Sequence, residues 1–290
     1  MKPIRYLIIL LFLTFSCQQE SPKTYLFVGS YTDGKAADGI YVYELDQDNR
    51  ELTNVEIEGD LVNPSFITLS SDGQFLYACT ETRMDKPGNV SAFSIDELTE
   101  EIAFLNKQTT GARNPVHLMF DKSGDYLFSA NYTDASITVF KKRSNGFLDP
   151  YSQFLAFEGS SIIEGRQDQA HIHSSFISPD NRYLVAPDLG SDKLRVFNFD
   201  SQSLLTENDT LTVLTETVAG PRHFTFHTKL PYAYSLEELS GNVVFYKYKN
   251  GKLKIIETYP SYETKQDIYS SADIHISPDG LFLYNLNRYT

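Results

Sequence analysis

Four side chains of this 290-residue sequence are of the types that ester chemistry needs: His173, Arg222, Glu238 and Arg288. A guanidinium can fork two hydrogen bonds to a carboxylate or phosphate, or polarise a carbonyl and hold the oxyanion that forms when water attacks it. A histidine or glutamate can take a proton from that water and return it to the leaving ring oxygen. Such a set suits an anionic ester or lactone, provided the fold gathers residues this far apart in sequence. Arg222 and Glu238 could instead form a structural ion pair, and His173 could be a hydrogen-bonded core residue. The residue types do not choose between His173 and Glu238 as proton acceptor.

An internal repeat supplies the means of gathering them. Segments opening at Asn63, Asn114, His171, Gly220 and Ser270 align without gaps on an apolar anchor at Leu69, Phe120, Ile177, Phe226 and Ile276. Six residues after the anchor stands an aromatic: Phe75, Tyr126, Tyr183, Tyr232 or Phe282. Four of the copies place a turn between the two, such as Ser71-Asp72-Gly73 or Pro278-Asp279-Gly280, whereas the fourth of the five carries Thr228-Lys229-Leu230-Pro231. Strand, tight turn, strand is the predicted conformation. Short alternating stretches at 89–93, 136–140, 193–197 and 242–246 predict a third strand, and more polar stretches after them a fourth. Four antiparallel strands about every 50 residues describe an all-β propeller blade whose outer strand faces water. A β-sandwich would have no reason to repeat one aromatic and one turn at fixed offsets.

In such a ring, equivalent repeat positions become neighbours around the axis. Four residues before the anchor lie Ser65, Val116, His173, Arg222 and Ala272; twelve after it lie Glu81, Tyr132, Leu189, Glu238 and Arg288. Both positions are expected at one mouth of the funnel, which brings the four candidates together. Glu81 is either a further wall of the site or a solvated strand end. The long connection from Glu158 to Ala170 leads into His171 at the same mouth, so it is either a lid carrying Arg166 and Gln167 or an ordinary surface loop. Arg166, His171 and Glu81 are the expected substrate-binding additions. His171 and His173 share a strand face, but no third ligand follows at a sensible spacing, so no metal is assigned. His223 and His227 are four apart on a strand, a spacing without ligand meaning there. Gly34 and Gly39 flank a polar loop with no phosphate-cradle pattern, and no cofactor is expected.

At the N-terminus, residues 24–32, 39–43 and 52–57 match the second, third and fourth strands of the unit, with no first strand before them. Ring closure would draw that inner strand from the other end of the chain. Because Thr290 follows a second strand, the propeller (24–290) is expected to be truncated within its sixth blade. The shortfall is roughly 70 to 90 residues if seven blades of about 50 make the ring.

Lys2 and Arg5 followed by an apolar run from Tyr6 to Phe15 read as an export signal, too short to span a bilayer. Ser16-Cys17 at its end resembles a bacterial lipobox. Residues 1–17 are thus expected to be a signal peptide with acylated Cys17, and 18–23 a tether to the cell envelope, facing the periplasm or exterior; plain secretion is the alternative. Cys79 would then have no intramolecular partner and is expected to be a buried thiol. Loss of Lys2 and Arg5 takes the formal charge from −13 to −15. An acidic surface repels phosphate backbones, so nucleic acid is not an expected partner, and an anionic substrate would need local arginines.

Several motifs together resemble the lactonases with a seven-bladed propeller, which include bacterial 6-phosphogluconolactonases and are related to fungal carboxymuconate cyclases. They are Gly29-Ser-Tyr-Thr32, Arg166-Gln167 with His171-Ile-His173, Ser178-Pro-Asp180, Pro187-Asp-Leu-Gly190 with Asp192, Gly220-Pro-Arg-His223, Glu238-Leu-Ser240 and Asn287-Arg288. The resemblance implies a seven-bladed β-propeller of four-stranded antiparallel blades that hydrolyses a small-molecule sugar lactone. It also maps the site of the muconate relatives onto His173, Arg222, Glu238 and Arg288. A cycloisomerase using the same groups in reverse, or an envelope propeller binding a glycan or protein without turnover, are the alternatives.

Overall fold

A computed structural model describes residues 23–33, 38–96 and 101–288. The signal peptide, Cys17 and all of the tether but Lys23 lie outside the described residues. Strands β1 (Thr24–Gly29), β2 (Ile40–Asp46) and β3 (Glu51–Glu58) form a three-stranded sheet. Four-stranded sheets follow: β4 (Phe66–Leu69) to β7 (Ile102–Arg113) through β5 (Phe75–Thr80) and β6 (Pro87–Ile95), then β8 (Pro115–Phe120) to β11 (Gln153–Ala156) through β9 (Tyr126–Asn131) and β10 (Ser136–Lys141). The next sheet holds β12 (Phe176–Ile177), β13 (Tyr183–Asp188), β14 (Lys193–Asp200) and β15 (Leu204–Glu207), and short β16 (Val213–Leu214) also pairs with β14. A further four-stranded sheet comprises β17 (Pro221–Phe226), β18 (Tyr232–Glu237), β19 (Asn242–Lys249) and β20 (Lys252–Pro260), and β21 (Ser271–Ile276) pairs with β22 (Leu283–Asn287). All pairings are antiparallel and no helix occurs among the described residues.

The predicted turns close as the residue types require. Gly73, Gly124, Asn181 and Gly280 have positive φ, and each donates its N–H to the carbonyl three residues back. In the copy without Asp-Gly, the ring Nδ1 of His227 accepts the N–H groups of Lys229 and Leu230, both at 3.0 Å, and so replaces the Ser or Asp oxygen found elsewhere. The core lies between sheets, with each cluster shared by consecutive blades. Ile40 and Val42 pack on Leu76 and Phe93, Tyr77 and Cys79 on Leu118 and Leu127, Phe128 and Ile137 on Leu184 and Phe197, and Val185 and Val196 on Phe224 and Tyr246. This arrangement leaves the outer strands polar; β20 is exposed over most of its length. Cys79 is a buried free thiol, and burial pushes its ionisation well above the usual range.

Candidate active site

Two local devices aim side chains at the axis. The first is a β-bulge at the start of the innermost strands, where pairing slips between Pro115 and His117, between Pro221 and His223, and between Ser271 and Asp273. A bulge breaks the strict alternation of a strand. Arg222 and His223 consequently line the same cavity, as do Ala272 and Asp273. The second is a backbone hydrogen bond repeated at the end of the second strands. Tyr132, Leu189, Glu238 and Arg288 donate N–H to the carbonyls of Asn114, His171, Gly220 and Ser270, which holds Tyr132, Glu238 and Arg288 at the mouth.

The resulting cavity has a volume of about 450 Å³ and contains all four expected residues, His173, Arg222, Glu238 and Arg288, together with Arg166. Glu238 is 5% exposed and is the hub of a cationic cluster. Its Oε1 lies 2.5 Å from Arg166 Nη2, and its Oε2 lies 2.8 Å from Arg222 Nε and 3.0 Å from Arg288 Nη2. The Arg222 contact is an ion pair by distance, although the Nε–H is not aligned as a hydrogen bond. Arg222 Nη1 also donates to the carbonyl of Ala272. Three guanidinium groups therefore share one carboxylate, leaving the site net positive despite an acidic chain.

His173 faces the cavity beside Tyr132, with ring centroids 5.3 Å apart, and its Nδ1 is buried without a hydrogen-bond partner. Burial, reinforced by Arg222, depresses its protonation well below the ordinary histidine range, so the ring is neutral. Arg166 arrives on the long connection, which is pinned in place: buried Gln167 donates to Leu189 O and Asp192 Oδ1, and Ser161 donates to Asp192 Oδ2.

Two expected binding residues are elsewhere. His171 does not line the cavity; it stacks on Tyr132 with centroids 4.2 Å apart and donates from Nδ1 to the Tyr132 carbonyl, buttressing that wall. Glu81 is turned outward and paired with Lys86 at 2.9 Å and Lys107 at 3.0 Å. Its N–H bonds Val62 O, one residue earlier in the repeat than in the other copies, and this one-residue difference in register points the side chain to the other face. Arg83 lines the cavity instead, its guanidinium 4.3 Å from the centroid of the Tyr31 ring. Sequence reasoning also missed His223 and Asp273, which lie in the row one residue beyond the His173 and Arg222 position.

The chain matches the family model described as lactonase, 7-bladed beta-propeller, over residues 25–290. It is 42% identical over 265 residues, 91% of this chain and 75% of the relative, to a 6-phosphogluconolactonase of Formosa agariphila. A 6-phosphogluconolactonase of Bacillus subtilis is 32% identical, with 90% of this chain and 74% of the relative covered. The solved structure of Pseudomonas aeruginosa periplasmic gluconolactonase superposes with a TM-score of 0.85 at 30% identity, covering 92% of this chain and 76% of that one.

Proposed function

On the premise that the chain belongs to the lactonase family of seven-bladed β-propellers, we propose that it hydrolyses an aldonolactone, 6-phosphogluconolactone or its unphosphorylated counterpart, in the cavity around Glu238. The observation that carries this reading is the trio of guanidiniums on Glu238 in one cavity with the buried imidazole of His173. Glu238 neutralises and orients the arginines. Arg222 and Arg288 bind the lactone carbonyl oxygen, and their N–H groups hold the charge that develops there as water attacks. Arg166 closes the wall and attracts an anionic substituent. Both Glu238 oxygens are committed to guanidiniums, so His173 rather than Glu238 is left to contact the oxygens undergoing change.

We also propose, from the leader sequence, that the mature chain begins at lipidated Cys17 and works in the cell envelope. A relative named as periplasmic supports that location. Labelling with an alkyne fatty acid should mark the wild type and not Cys17→Ser.

The activity test follows ring opening by acid release from gluconolactone and from 6-phosphogluconolactone, counting only the excess over spontaneous opening in buffer. Wild type should accelerate at least one, and Arg222→Ala should lose about 10²-fold or more of that excess. A folded wild-type protein that never exceeds buffer removes the lactonase reading and favours a binding module.

A further inference from the structure

The cavity is also lined by a second imidazole that the reading above leaves unused. His223, 5% exposed, donates from Nδ1 to Asp273 Oδ1 at 2.7 Å, and Asp273 is fixed in turn by the N–H of Ile274 at 2.8 Å and by His275 Nε2 at 3.0 Å. Both residues line the cavity, and the His223 ring centroid is 5.5 Å from that of His173. With Nδ1 committed to the carboxylate, Nε2 of His223 is a lone pair without a protein partner among the described residues. His173 is its complement. Its orphaned Nδ1 is cheaper to bury as a bare lone pair than as a bare N–H, which places its proton on Nε2. Two neutral imidazoles of opposite polarity thus stand side by side, one accepting and one donating.

We propose that His223, oriented by Asp273, is the proton acceptor of the reaction, and that His173 is a hydrogen-bond donor to the lactone oxygens; this rests on the lactonase reading. As the water oxygen bonds to the carbonyl carbon, its proton passes to His223 Nε2 and the carbonyl electron pair moves onto the oxygen held by Arg222 and Arg288. Collapse of that intermediate restores the C=O bond and breaks the ring C–O bond. The ring oxygen then takes the proton back from His223, giving the open hydroxy acid and neutral histidine. Asp273 is a positioning residue: it selects the tautomer and stabilises the transient imidazolium.

The groups facing His223 are Arg222 on its own strand, His117 from β8, His173, and Asp273 and His275 from β21. Burial lowers its protonation, opposed by Asp273 and reinforced by Arg222, so the base is available at neutral pH. Against the upward pull of burial, the hydrogen bonds from His223 and His275 hold Asp273 far below the usual carboxylate range.

The test compares wild type, His223→Gln, Asp273→Asn and Arg222→Ala on the responsive lactone across pH, with folding checked by thermal melting and the His223 tautomer read by ¹⁵N NMR. We expect His223→Gln to lower kcat by about 10²-fold or more with KM within a few-fold. In wild type kcat/KM should fall on the acid side, below the free-histidine value of about 6.5. In Asp273→Asn the plateau should drop, the acid limb should move lower and the Nδ1–H signature should be lost. Near-wild-type turnover by His223→Gln beside an inactive Arg222→Ala would overturn this assignment and leave the lactonase reading standing. An inactive wild type removes both, and is told apart because no variant is then needed to see it.

Discussion

Arg222 Nε stands 2.8 Å from Glu238 Oε2, although one residue sits in the bulge of an innermost strand and the other lies just past the end of the next. The pair is structural, and under the proposed function it is also part of the reacting site. It ties two strands of one blade together, and it recruits Arg166 from the connection that leads into the preceding blade and Arg288 from the following blade. Charges from three parts of the chain are balanced on a single buried carboxylate.

Removing that carboxylate should therefore cost both stability and activity. Glu238→Gln leaves three guanidiniums facing one another, and truncating one partner of a buried pair costs roughly 3 kcal/mol. The expected result is a lower denaturation midpoint that sulfate partly restores, with ring opening reduced about 10²-fold. Equal stability of variant and wild type without sulfate would show the cluster to be electrostatically unimportant.

Arg83 is a cavity guanidinium with no acidic partner among the described residues, stacked over Tyr31. Arg83→Ala should raise KM for 6-phosphogluconolactone about tenfold, the worth of one charge-assisted contact, while changing KM for gluconolactone little. A parallel rise for both would mean that Arg83 shapes the cavity without reading the phosphate.

His227 caps its turn by accepting two backbone N–H groups and does not line the cavity. In His227→Ala both donors lose that acceptor, at a cost of about 1–2 kcal/mol in urea unfolding, with kcat unchanged.

Glu237, adjacent to the hub but pointing away to Ser240, is 2% exposed, and burial pushes its carboxyl up to about 7. Because the folded-state value lies above the unfolded one, the native chain holds a proton that the unfolded chain releases. Stability from this group is present at low pH and declines as pH rises from about 4.5 to about 7, flattening above. Glu237→Gln should thus gain stability relative to wild type at pH 8, by on the order of 3 kcal/mol at most, with the gain vanishing near pH 4. A pH-independent difference between the two proteins would rule this out.

The repeat makes the blades legible in the sequence itself. The anchor, turn and aromatic recur at fixed offsets, so strand order and the ring position of His173, Arg222, Glu238 and Arg288 could be read from spacing alone. Local chemistry decides these features: turn residues, alternation, and an aromatic that opens the second strand at Phe75, Tyr126, Tyr183 and Tyr232.

What only the tertiary structure decided was which neighbours of those positions also face the axis. Strict alternation would send His223 and Asp273 away from the cavity that holds Arg222, and at β17 and β21 a bulge at the strand start breaks that alternation. Likewise, a one-residue difference in register put Glu81 among lysines and gave its place to Arg83. Ring period follows from sequence because it is a sum of local preferences, whereas side-chain aim at the mouth depends on how each strand end pairs with its neighbour.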